Sequence, residues 1–457
     1  MHEHTGPRTI GFIGTGNMGG PLIERLLDAG HQVQVHDVDP QRAQASVARG
    51  ATWRGTPASC AAGCEIVVTC LPLPHHVLEN LTGPDGALQG MSPGSVWIDT
   101  STTDYHNTLQ LAGLARAKGV YSLEAPVSNL SHMGVDFANV CFYIGGDKPG
   151  YRISRDVLET MGRKSFYVGR IGNGQSVKLL TNLLFYAATV AWTELLAIAR
   201  HAQLPLHWLW DFVKTSRGNC FVSNQLTPFI LDSSYDRSCT LEITVKDMGL
   251  TVALADELGV TMPLGRIVAQ RYQQAGERYP SHDNHVKVAA LCEEENHLSL
   301  GIENFQAPSP YGANPDYRHP RGLVSDHLGR VVPSLPDAFR CAIAEVGADQ
   351  QALANALVEY LACVNRVILD EAIELGTAMG LEASLLAQVV NWSCGPSWVA
   401  EHLSSYRPCR DSVALVEQQR TALRLFVLEQ IARQGIFASQ WAGTPATPQR
   451  VWGGAQG

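Results

Sequence analysis

The hydrophobic positions in the first third of the chain form short runs separated by helical patterns. Runs that predict strands cover residues 9–13, 32–36, 65–71, 95–99, 120–123 and 141–144, and amphipathic stretches such as 21–29 lie between them. Short apolar runs that alternate with helices indicate a doubly wound, largely parallel sheet. We therefore predict an α/β domain over residues 1–168.

A helical pattern replaces the strands after residue 169. The glycine-rich turn 169–174 opens a long apolar helix that reaches about residue 200, and helical periodicity continues to about residue 293. Lys178 and Asn182 are four residues apart in this helix and share one face. We predict an all-helical domain over 169–300, with this face turned to a ligand in the cleft between the two domains. A surface lysine beside a cap-like asparagine is the alternative.

The last third of the chain starts with a change of composition and then returns to helices. Proline, glycine, asparagine and arginine are frequent between residues 304 and 336, which predicts a linker over 301–336. Residues 337–457 then parallel the first helical segment at a constant spacing, with Glu371 aligned to Glu194 and Gly395 to Gly218. We interpret 337–457 as a degenerate repeat, and a generic helical extension is the alternative.

The repeat lacks the polar residues of the first copy. Three aligned pairs show this: Lys178 with Asn355, Asn182 with Glu359 and, with a shift of one residue, Lys246 with Ala422. We therefore expect the second copy to contribute packing, and no second active site.

The first strand leads directly into a glycine-rich loop and then a helix. The loop reads Gly14-Thr15-Gly16-Asn17-Met18-Gly19. Gly14 permits the tight turn, Gly16 lets a pyrophosphate approach the backbone, and Gly19 lets the helix pack on the strand. This arrangement predicts a Rossmann-type domain that binds a dinucleotide through the loop, Asn17 and Met18 included.

The second strand ends in Asp37, where a carboxylate can accept the adenosine ribose hydroxyls. Asp37 would repel a 2′-phosphate, and no arginine follows it directly, since the nearest is Arg42. We therefore predict NAD as cofactor, with NADP less favoured. A turn aspartate before Pro40 is the alternative.

Two later strands end in loops on the side where such sheets bind ligands. Leu71 and Pro72 close one strand and are predicted to lie over the nicotinamide ribose. The loop after the next strand presents Ser101 and Thr102, of which Ser101 is predicted to face the ligand. An N-cap at Thr103 or Asp104 is the alternative use of this loop, and both uses are compatible.

Charge and composition narrow the partners. The 457-residue chain has a net charge of −9, a pI near 6.0 and no run of Lys and Arg, so no electrostatic footprint for nucleic acid or anionic membrane is present. The start has no apolar segment typical of a signal peptide, and membrane spans are not expected. Eleven scattered cysteines indicate buried thiols in a reducing, cytoplasmic setting. No cysteine or histidine cluster has zinc-site spacing, so no metal is predicted.

Together these motifs resemble the β-hydroxyacid dehydrogenase family over about residues 9–293. The resemblance rests on the glycine loop, the segments 99–102 and 125–128, the turn and helix 169–182, and the segment 246–250. It implies that Lys178 is the catalytic lysine, that Asn182 and Ser128 orient the substrate, and that Lys246 lies near nicotinamide and substrate. A lysine in a cleft suits proton transfer to or from a hydroxyl.

The sequence departs from the family pattern immediately after Ser128. The family usually has two glycines there, and this chain has Asn129 and Leu130. Leucine does not tolerate positive φ, and both side chains are expected to enter the pocket. The resemblance implies a small 3-hydroxy acid or its semialdehyde or keto form as substrate. The departure at Asn129 and Leu130 indicates the alternative, a larger, more apolar or non-carboxylate molecule.

Three other functions stay open at this point. Imine reductases, which are related, usually carry another residue in place of Lys178. An oxidative decarboxylase of the phosphogluconate type is suggested by the duplication, but Thr181 stands where that family has histidine. A cofactor-binding scaffold would require a degenerate site. Since many family members dimerise through the helical domain, we expect either a homodimer or a monomer with an internal pseudo-dimer, with Trp398 as a contact.

Overall fold

The computed structural model describes residues 6–130, 134–235, 239–305 and 348–401. The chain forms two compact units, the first made of Met1–Leu179 and Met379–Val389, the second of Leu180–Ala378 and Val390–Gly457. The predicted linker and much of the predicted repeat fall at 306–347 and 402–457, outside the described residues. Those two boundaries therefore stay predictions.

The first unit contains a mixed sheet that is nine-stranded within the described residues. Its strands are β1 (Thr9–Ile13), β2 (Gln32–His36), β3 (Thr52–Trp53), β4 (Ile66–Thr69), β5 (Val96–Asp99), β6 (Tyr121–Glu124), β7 (Val127–Asn129), β8 (Val140–Gly146) and β9 (Lys164–Gly169). The order is β3-β2-β1-β4-β5-β6-β8-β7, and β9 also pairs with β8. Strands β1 to β6 pair in parallel, while β8 runs antiparallel to β6 and β7.

Helices connect these strands. They are α1 (Gly19–Asp28), α2 (Gln44–Ala48), α3 (Pro57–Ala61), α4 (Pro74–Thr82), α5 (Ala87–Gly90), α6 (Tyr105–Ala117) and α7 (Lys148–Met161), with short 3-10 turns at Pro40–Ala43 and Gly134–Phe137. Successive strand residues point to opposite faces of the sheet, so Val96 and Ile98 join one apolar cluster and Trp97 joins another. Both faces are buried, which is why the strands read as continuous apolar runs.

The predicted α/β fold with its six strands is confirmed, and three strands were missed. Strand β3 has two residues, β7 has three, and β9 carries polar and exposed positions. None of them gives the apolar run that predicts a buried strand.

The secondary-structure elements of the remaining described residues are helices. The helices are α8 (Asn173–His201), α9 (Leu206–Lys214), α10 (Phe221–Gln225), α11 (Thr227–Leu231), α12 (Leu241–Leu258), α13 (Pro263–Arg278), α14 (Lys287–Asn296), α15 (Ala348–Ala378), α16 (Ala383–Val390) and α17 (Trp398–Glu401). Helix α8 begins in the first unit and continues in the second, and residues 379–389 belong to the first unit.

Helices α8 and α15 are long and apolar enough to span a membrane by composition, with a mean hydropathy of 1.4 in each. Their apolar windows are 89% and 67% buried inside the protein, as expected for helices that form a core.

Candidate active site

The glycine loop between β1 and α1 has the shape needed to receive a dinucleotide phosphate. Gly14 has φ +100°, and a methyl group there would lie 2.3 Å from the Cys70 carbonyl oxygen. A methyl group at Gly19 would lie 2.0 Å from the Gly14 carbonyl oxygen. At Gly16 the nearest atom to such a group is Arg42 Nη1, at 4.0 Å. The first and third glycines are thus required by packing, whereas the second borders open space that a pyrophosphate fits.

Asp37 is buried, and its carboxylate braces this loop. Oδ2 accepts hydrogen bonds from the Thr15 backbone N–H at 2.8 Å and from the Thr15 hydroxyl at 3.1 Å, while Oδ1 accepts from the Asp39 N–H. Oδ2 thus uses both of its lone pairs on Thr15, and Oδ1 retains one for a ribose hydroxyl. Val38, the next residue, is 93% exposed and offers an apolar surface beside the loop.

Arg42 lies closer to the loop than its sequence position indicates. The 3-10 turn Pro40–Ala43 brings its guanidinium to the open side of Gly16, and its Nε lies 3.8 Å from Asp39 Oδ2. The loop therefore has both a carboxylate and an exposed guanidinium near the ribose position. From the sequence, Arg42 is identified as the nearest arginine but is set aside because it does not directly follow Asp37.

The loops after β4 and β5 are tied to one another. The Leu71 N–H donates to Ser101 Oγ at 2.9 Å, and the Ser101 N–H donates to Asp99 Oδ1 at 3.1 Å. Gln175 on α8 donates to the Ser101 carbonyl and accepts from the Thr103 N–H. The buried Ser101 hydroxyl thus fixes the Leu71 loop in place.

The neighbours of Ser101 are more accessible. Thr102 is half-buried and Pro72 is exposed. Asp104 caps α6 by accepting the Asn107 N–H at 2.7 Å, which confirms the capping alternative for this loop.

Ser128 and Lys178 belong to the same region of the first unit. Ser128 lies fully buried in β7 and pairs with Cys141 of β8. Burial raises the pKa of the Cys141 thiol, and the charges of Lys164 and Lys178 act on it in the opposite direction. The Lys178 side chain, 9% exposed, is therefore within electrostatic range of the strand pair that holds Ser128.

Asn129 and Leu130 fit without the backbone strain that their replacement of glycine suggested. Neither residue has positive φ. The Asn129 side-chain oxygen accepts the Val135 N–H at 3.0 Å, and Leu130 is 1% exposed. The Asn129 side chain is therefore bonded to the Val135 backbone, and the expectation that both side chains enter the pocket stays a prediction.

Glu124 at the end of β6 anchors the start of α8, and the sequence did not reveal this. Its carboxylate accepts the N–H groups of Gly174 at 2.8 Å and Gln175 at 3.2 Å. Burial raises the Glu124 pKa to about 8, with the backbone N–H groups acting in the opposite direction. The anchor fixes the helical turn from which Lys178 projects.

In the second unit, the Asp247 carboxylate on α12 contacts Asn182 and two neighbouring polar side chains. Its Oδ2 accepts from Asn182 Nδ2 at 2.7 Å and from the Tyr186 hydroxyl at 3.3 Å, and Lys246 Nζ lies 3.1 Å from Oδ1. Because a carboxylate only accepts, these bonds set which end of the Asn182 amide faces Asp247. Asn182 Oδ1 instead accepts from the Cys394 thiol at 3.5 Å.

Asp247, Tyr186 and Cys394 are the residues of this cluster that sequence reasoning missed. Asp247 is 1% exposed and follows Lys246 in the sequence, so the adjacent lysine was the available signal. Cys394 is more than two hundred residues from Asn182, and nothing local pointed to it. Within the described ranges, no group of three His, Cys, Asp or Glu residues is placed to hold a metal ion.

Two known families match the sequence in succession. Residues 9–169 match the family described as the NAD binding domain of 6-phosphogluconate dehydrogenase. Residues 172–292 match the one described as NAD-binding of NADP-dependent 3-hydroxyisobutyrate dehydrogenase. The division between them falls at the start of α8.

Individual relatives give the same result. A 3-hydroxyisobutyrate dehydrogenase of Pseudomonas aeruginosa is 31% identical over 281 residues, covering 60% of this chain and 94% of the relative. Glyoxylate/succinic semialdehyde reductase 2 of Arabidopsis thaliana is 28% identical over 273 residues, covering 60% of this chain and 76% of the relative.

A solved structure agrees with these sequence matches. The 3-hydroxyisobutyrate dehydrogenase of Mycobacterium tuberculosis, solved with L-serine, has a TM-score of 0.57 and 27% identity. The structural match covers 63% of this chain and 99% of the Mycobacterium tuberculosis chain. Over a third of this chain therefore has no counterpart in that structure.

Proposed function

Because the chain belongs to the β-hydroxyacid dehydrogenase family and is an NAD(P)-dependent dehydrogenase, we propose a specific reaction for it. It interconverts a small 3-hydroxy acid and the corresponding semialdehyde or keto form, with Lys178 as general acid and base. The observation that carries the proposal is the pairing, on successive turns of α8, of a nearly buried lysine with an asparagine whose amide orientation Asp247 fixes.

Lys178, Asn182 and Ser128 have separate roles in the proposed reaction. A nicotinamide dinucleotide held by the glycine loop and Asp37 would supply the acceptor for hydride from the alcohol carbon, or the hydride donor in the reverse direction. An uncharged Lys178 amine takes the proton of the substrate hydroxyl, and in the reverse direction the Lys178 ammonium supplies it. Asn182 orients the reacting oxygen, because its amide is held by Asp247 and does not rotate freely. Ser128 binds the substrate carboxylate by hydrogen bonding, and orientation of this kind lowers the barrier substantially.

Lys246 adds a fixed positive charge to this arrangement. Its ammonium is 13% exposed and paired with Asp247, so it is held in one place beside Asn182. A cation there favours an anionic substrate. The name of the Pseudomonas aeruginosa relative supports a 3-hydroxy acid, and the name of the Arabidopsis thaliana relative supports an acid that carries an aldehyde group, such as a semialdehyde.

A substrate screen tests the proposal. Purified protein is assayed with a series of 3-hydroxy acids, 3-hydroxyisobutyrate included, and with semialdehydes in the reverse direction, following absorbance of the reduced nicotinamide. We expect turnover of at least one 3-hydroxy acid, and 2-hydroxy acids of equal length serve as the matched control. Turnover of cyclic imines or 2-hydroxy acids with none of 3-hydroxy acids would contradict the proposal.

The cofactor proposal is that NAD is preferred over NADP. Asp37 supports it, since its buried carboxylate repels a 2′-phosphate, whereas Arg42 at the open side of Gly16 acts against it. Comparing kcat/KM for NAD and NADP tests which of these two side chains determines the cofactor preference. Asp37→Ala should narrow the preference and Arg42→Ala should widen it. Equal or better efficiency with NADP in the unmodified protein would contradict the assignment.

A further inference from the structure

Two turns of the second unit exchange equivalent backbone hydrogen bonds. Cys220 and Ser397 form an antiparallel bridge, and they are 177 residues apart in the chain. Beside it, the Phe221 N–H donates to the Pro396 carbonyl at 2.9 Å, and the Trp398 N–H donates to the Asn219 carbonyl at 2.8 Å. Replacing each residue of one bond by the residue 177 positions away in the chain gives the other bond. Reciprocal contacts of this kind are the mark of a twofold interface.

The same separation relates the local structure that precedes the bridge. Gln203 and Gly380 are aligned and both have positive φ, at 55° and 86°. Helix α9 begins at Leu206, and α16 begins at the aligned residue Ala383. The equivalence therefore extends over successive helices and the turn that joins them.

The turn before the bridge repeats in its side-chain bonds. Ser216 Oγ donates to the Val213 carbonyl and accepts the Gly218 N–H. Ser393 Oγ makes the same two bonds, with the Val390 carbonyl and the Gly395 N–H. Identical bonding at aligned residues is more specific than shared helical composition, which any two amphipathic helices have.

Two glycines that are 177 residues apart also make equivalent close contacts. A methyl group at Gly395 would lie 3.2 Å from the Thr181 carbonyl oxygen, and one at Gly218 would lie 3.2 Å from the Val358 carbonyl oxygen. Each glycine thus lets its turn approach the long helix of the opposite copy, α8 in one case and α15 in the other. Within the second unit, residues 348–378 and 390–401 are consequently seated on the first copy as a partner subunit would be.

The twofold relation produces two equivalent contacts that differ in chemistry. Cys394 contacts Asn182, and both are less than a tenth exposed. At the aligned positions, Arg217 forms an ion pair with Glu359, and both of those side chains are about half exposed. The first contact involves the Asn182 amide, which is proposed to bind the substrate, and its counterpart is a solvated ion pair.

We infer that residues 348–401 act as a covalently attached pseudo-partner and that its Cys394 is a specificity-determining residue of the active site. The inference rests on the proposed function, because it assigns Asn182 to the substrate. The thiol limits the space beside the Asn182 amide and donates a hydrogen bond to its oxygen. It also lines a small cavity with Leu184 and Ala188, which are on the helix that carries Asn182. A larger or smaller group at 394 should therefore change which hydroxy acids fit.

The test compares kcat/KM for a short and a longer 3-hydroxy acid in three variants of the full chain. Cys394→Leu should shift the ratio toward the short substrate by at least about tenfold, the scale of a steric change in a substrate pocket. Cys394→Ala should shift it in the opposite direction, mainly through KM. Cys394→Ser, which keeps the donor and nearly the size, should retain the original ratio. Arg217→Leu at the twofold-related position is the matched control and should leave the ratio within about twofold.

Melting temperature and cofactor affinity of each variant report folding. If Cys394→Leu does not fold, the comparison of Cys394→Ala with Cys394→Ser decides. The inference would be overturned, and the proposed function would stand, if the kcat/KM ratio of every folded Cys394 variant stayed within about twofold of the unmodified protein. A shift of that ratio in Arg217→Leu as large as in Cys394→Leu would have the same consequence. An unmodified protein that turns over no hydroxy acid or semialdehyde would overturn the proposed function, and this inference with it.

Discussion

Asp247 shows how much of the site depends on one buried side chain. Its carboxylate holds the Asn182 amide, accepts the Tyr186 hydroxyl and pairs with Lys246. Burial raises the Tyr186 pKa well above its ordinary value, so this hydroxyl stays a neutral donor. A buried charge of this kind is tolerated because each neighbour compensates it. Asp247 is accordingly a positioning residue for Asn182 and Lys246.

Replacing Asp247 by asparagine should therefore impair catalysis without displacing the cofactor. We expect Asp247→Asn to lower kcat/KM by about ten- to a hundredfold, because the amide no longer pairs with Lys246 and no longer fixes the Asn182 orientation. Steady-state kinetics and cofactor titration provide the measurement. Asp256→Asn is the control, because Asp256 lies on α12 as Asp247 does and its exposed carboxylate pairs with Arg266 of α13. Equal effects of the two substitutions would refute the positioning role.

At the scale of single residues, local motifs were predictable and distant partners were not. The glycine loop and its packing follow from three glycines between a strand and a helix, all within a few residues. Asp247 lies 65 residues from Asn182, and Glu124 lies 50 from Gly174. Such pairs depend on how elements pack, which one sequence does not specify.

At the scale of elements, buried glutamates occupy the N-termini of two helices. Glu124 accepts the first N–H groups of α8, and Glu371 on α15 accepts those of Leu264 and Gly265 at the start of α13. The free N–H groups and dipole of a helix N-terminus favour a carboxylate. Burial nevertheless dominates at Glu371 and raises its pKa to about 7.

This pKa implies a dependence of stability on pH. The folded protein keeps a proton on Glu371 that the unfolded chain releases near pH 4.5, so this contribution is fully present below pH 4.5 and is lost as pH rises through about 7. Between pH 5 and 8 the stability of Glu371→Gln relative to the unmodified protein should therefore rise, by about 3 kcal/mol. Denaturant unfolding across this range measures it.

A suitable control for the pH experiment lies on α13 itself. Glu277 is exposed, and Glu277→Gln should keep the pH dependence of the unmodified protein. Parallel pH profiles for Glu371→Gln and the unmodified protein would show that Glu371 does not titrate in this range.

The elements themselves were largely predictable because their patterns are local. The long helix after the glycine turn was expected from about residue 175 to 200 and extends over Asn173–His201. The two-residue strand β3 and the strand β9, in which a lysine and a serine precede three apolar residues, are completed by hydrogen bonds from neighbouring strands. Strands that depend on such pairing leave only a short hydrophobic signal in their own sequence.

At the scale of the whole molecule, the extra segment distinguishes this chain from its relatives. The relatives and the solved structure cover 60–63% of it. Within the second unit, the turn around Ser397 covers Cys220 and Phe221, which are nearly buried. Removal of the segment would expose this apolar surface, which soluble proteins rarely tolerate.

We therefore expect a protein cut after Asn304 to aggregate or to lose most of its activity. Size-exclusion chromatography and specific activity of residues 1–304 provide the measurement. Co-expression of residues 305–457 as a separate chain is the control, and it should restore part of the soluble, active protein. A truncated protein that stays soluble, monomeric and fully active would show that the second segment is dispensable.

The central claim is that Lys178 transfers the proton in the dehydrogenase reaction, and its replacement tests this most directly. Steady-state kinetics of Lys178→Ala on the best 3-hydroxy acid is compared with Lys164→Ala, a control that removes an exposed lysine whose charge also acts on Cys141. The account predicts that Lys178→Ala lowers kcat by at least about a hundredfold with cofactor affinity nearly unchanged, and that Lys164→Ala retains activity. Normal turnover by Lys178→Ala would contradict it.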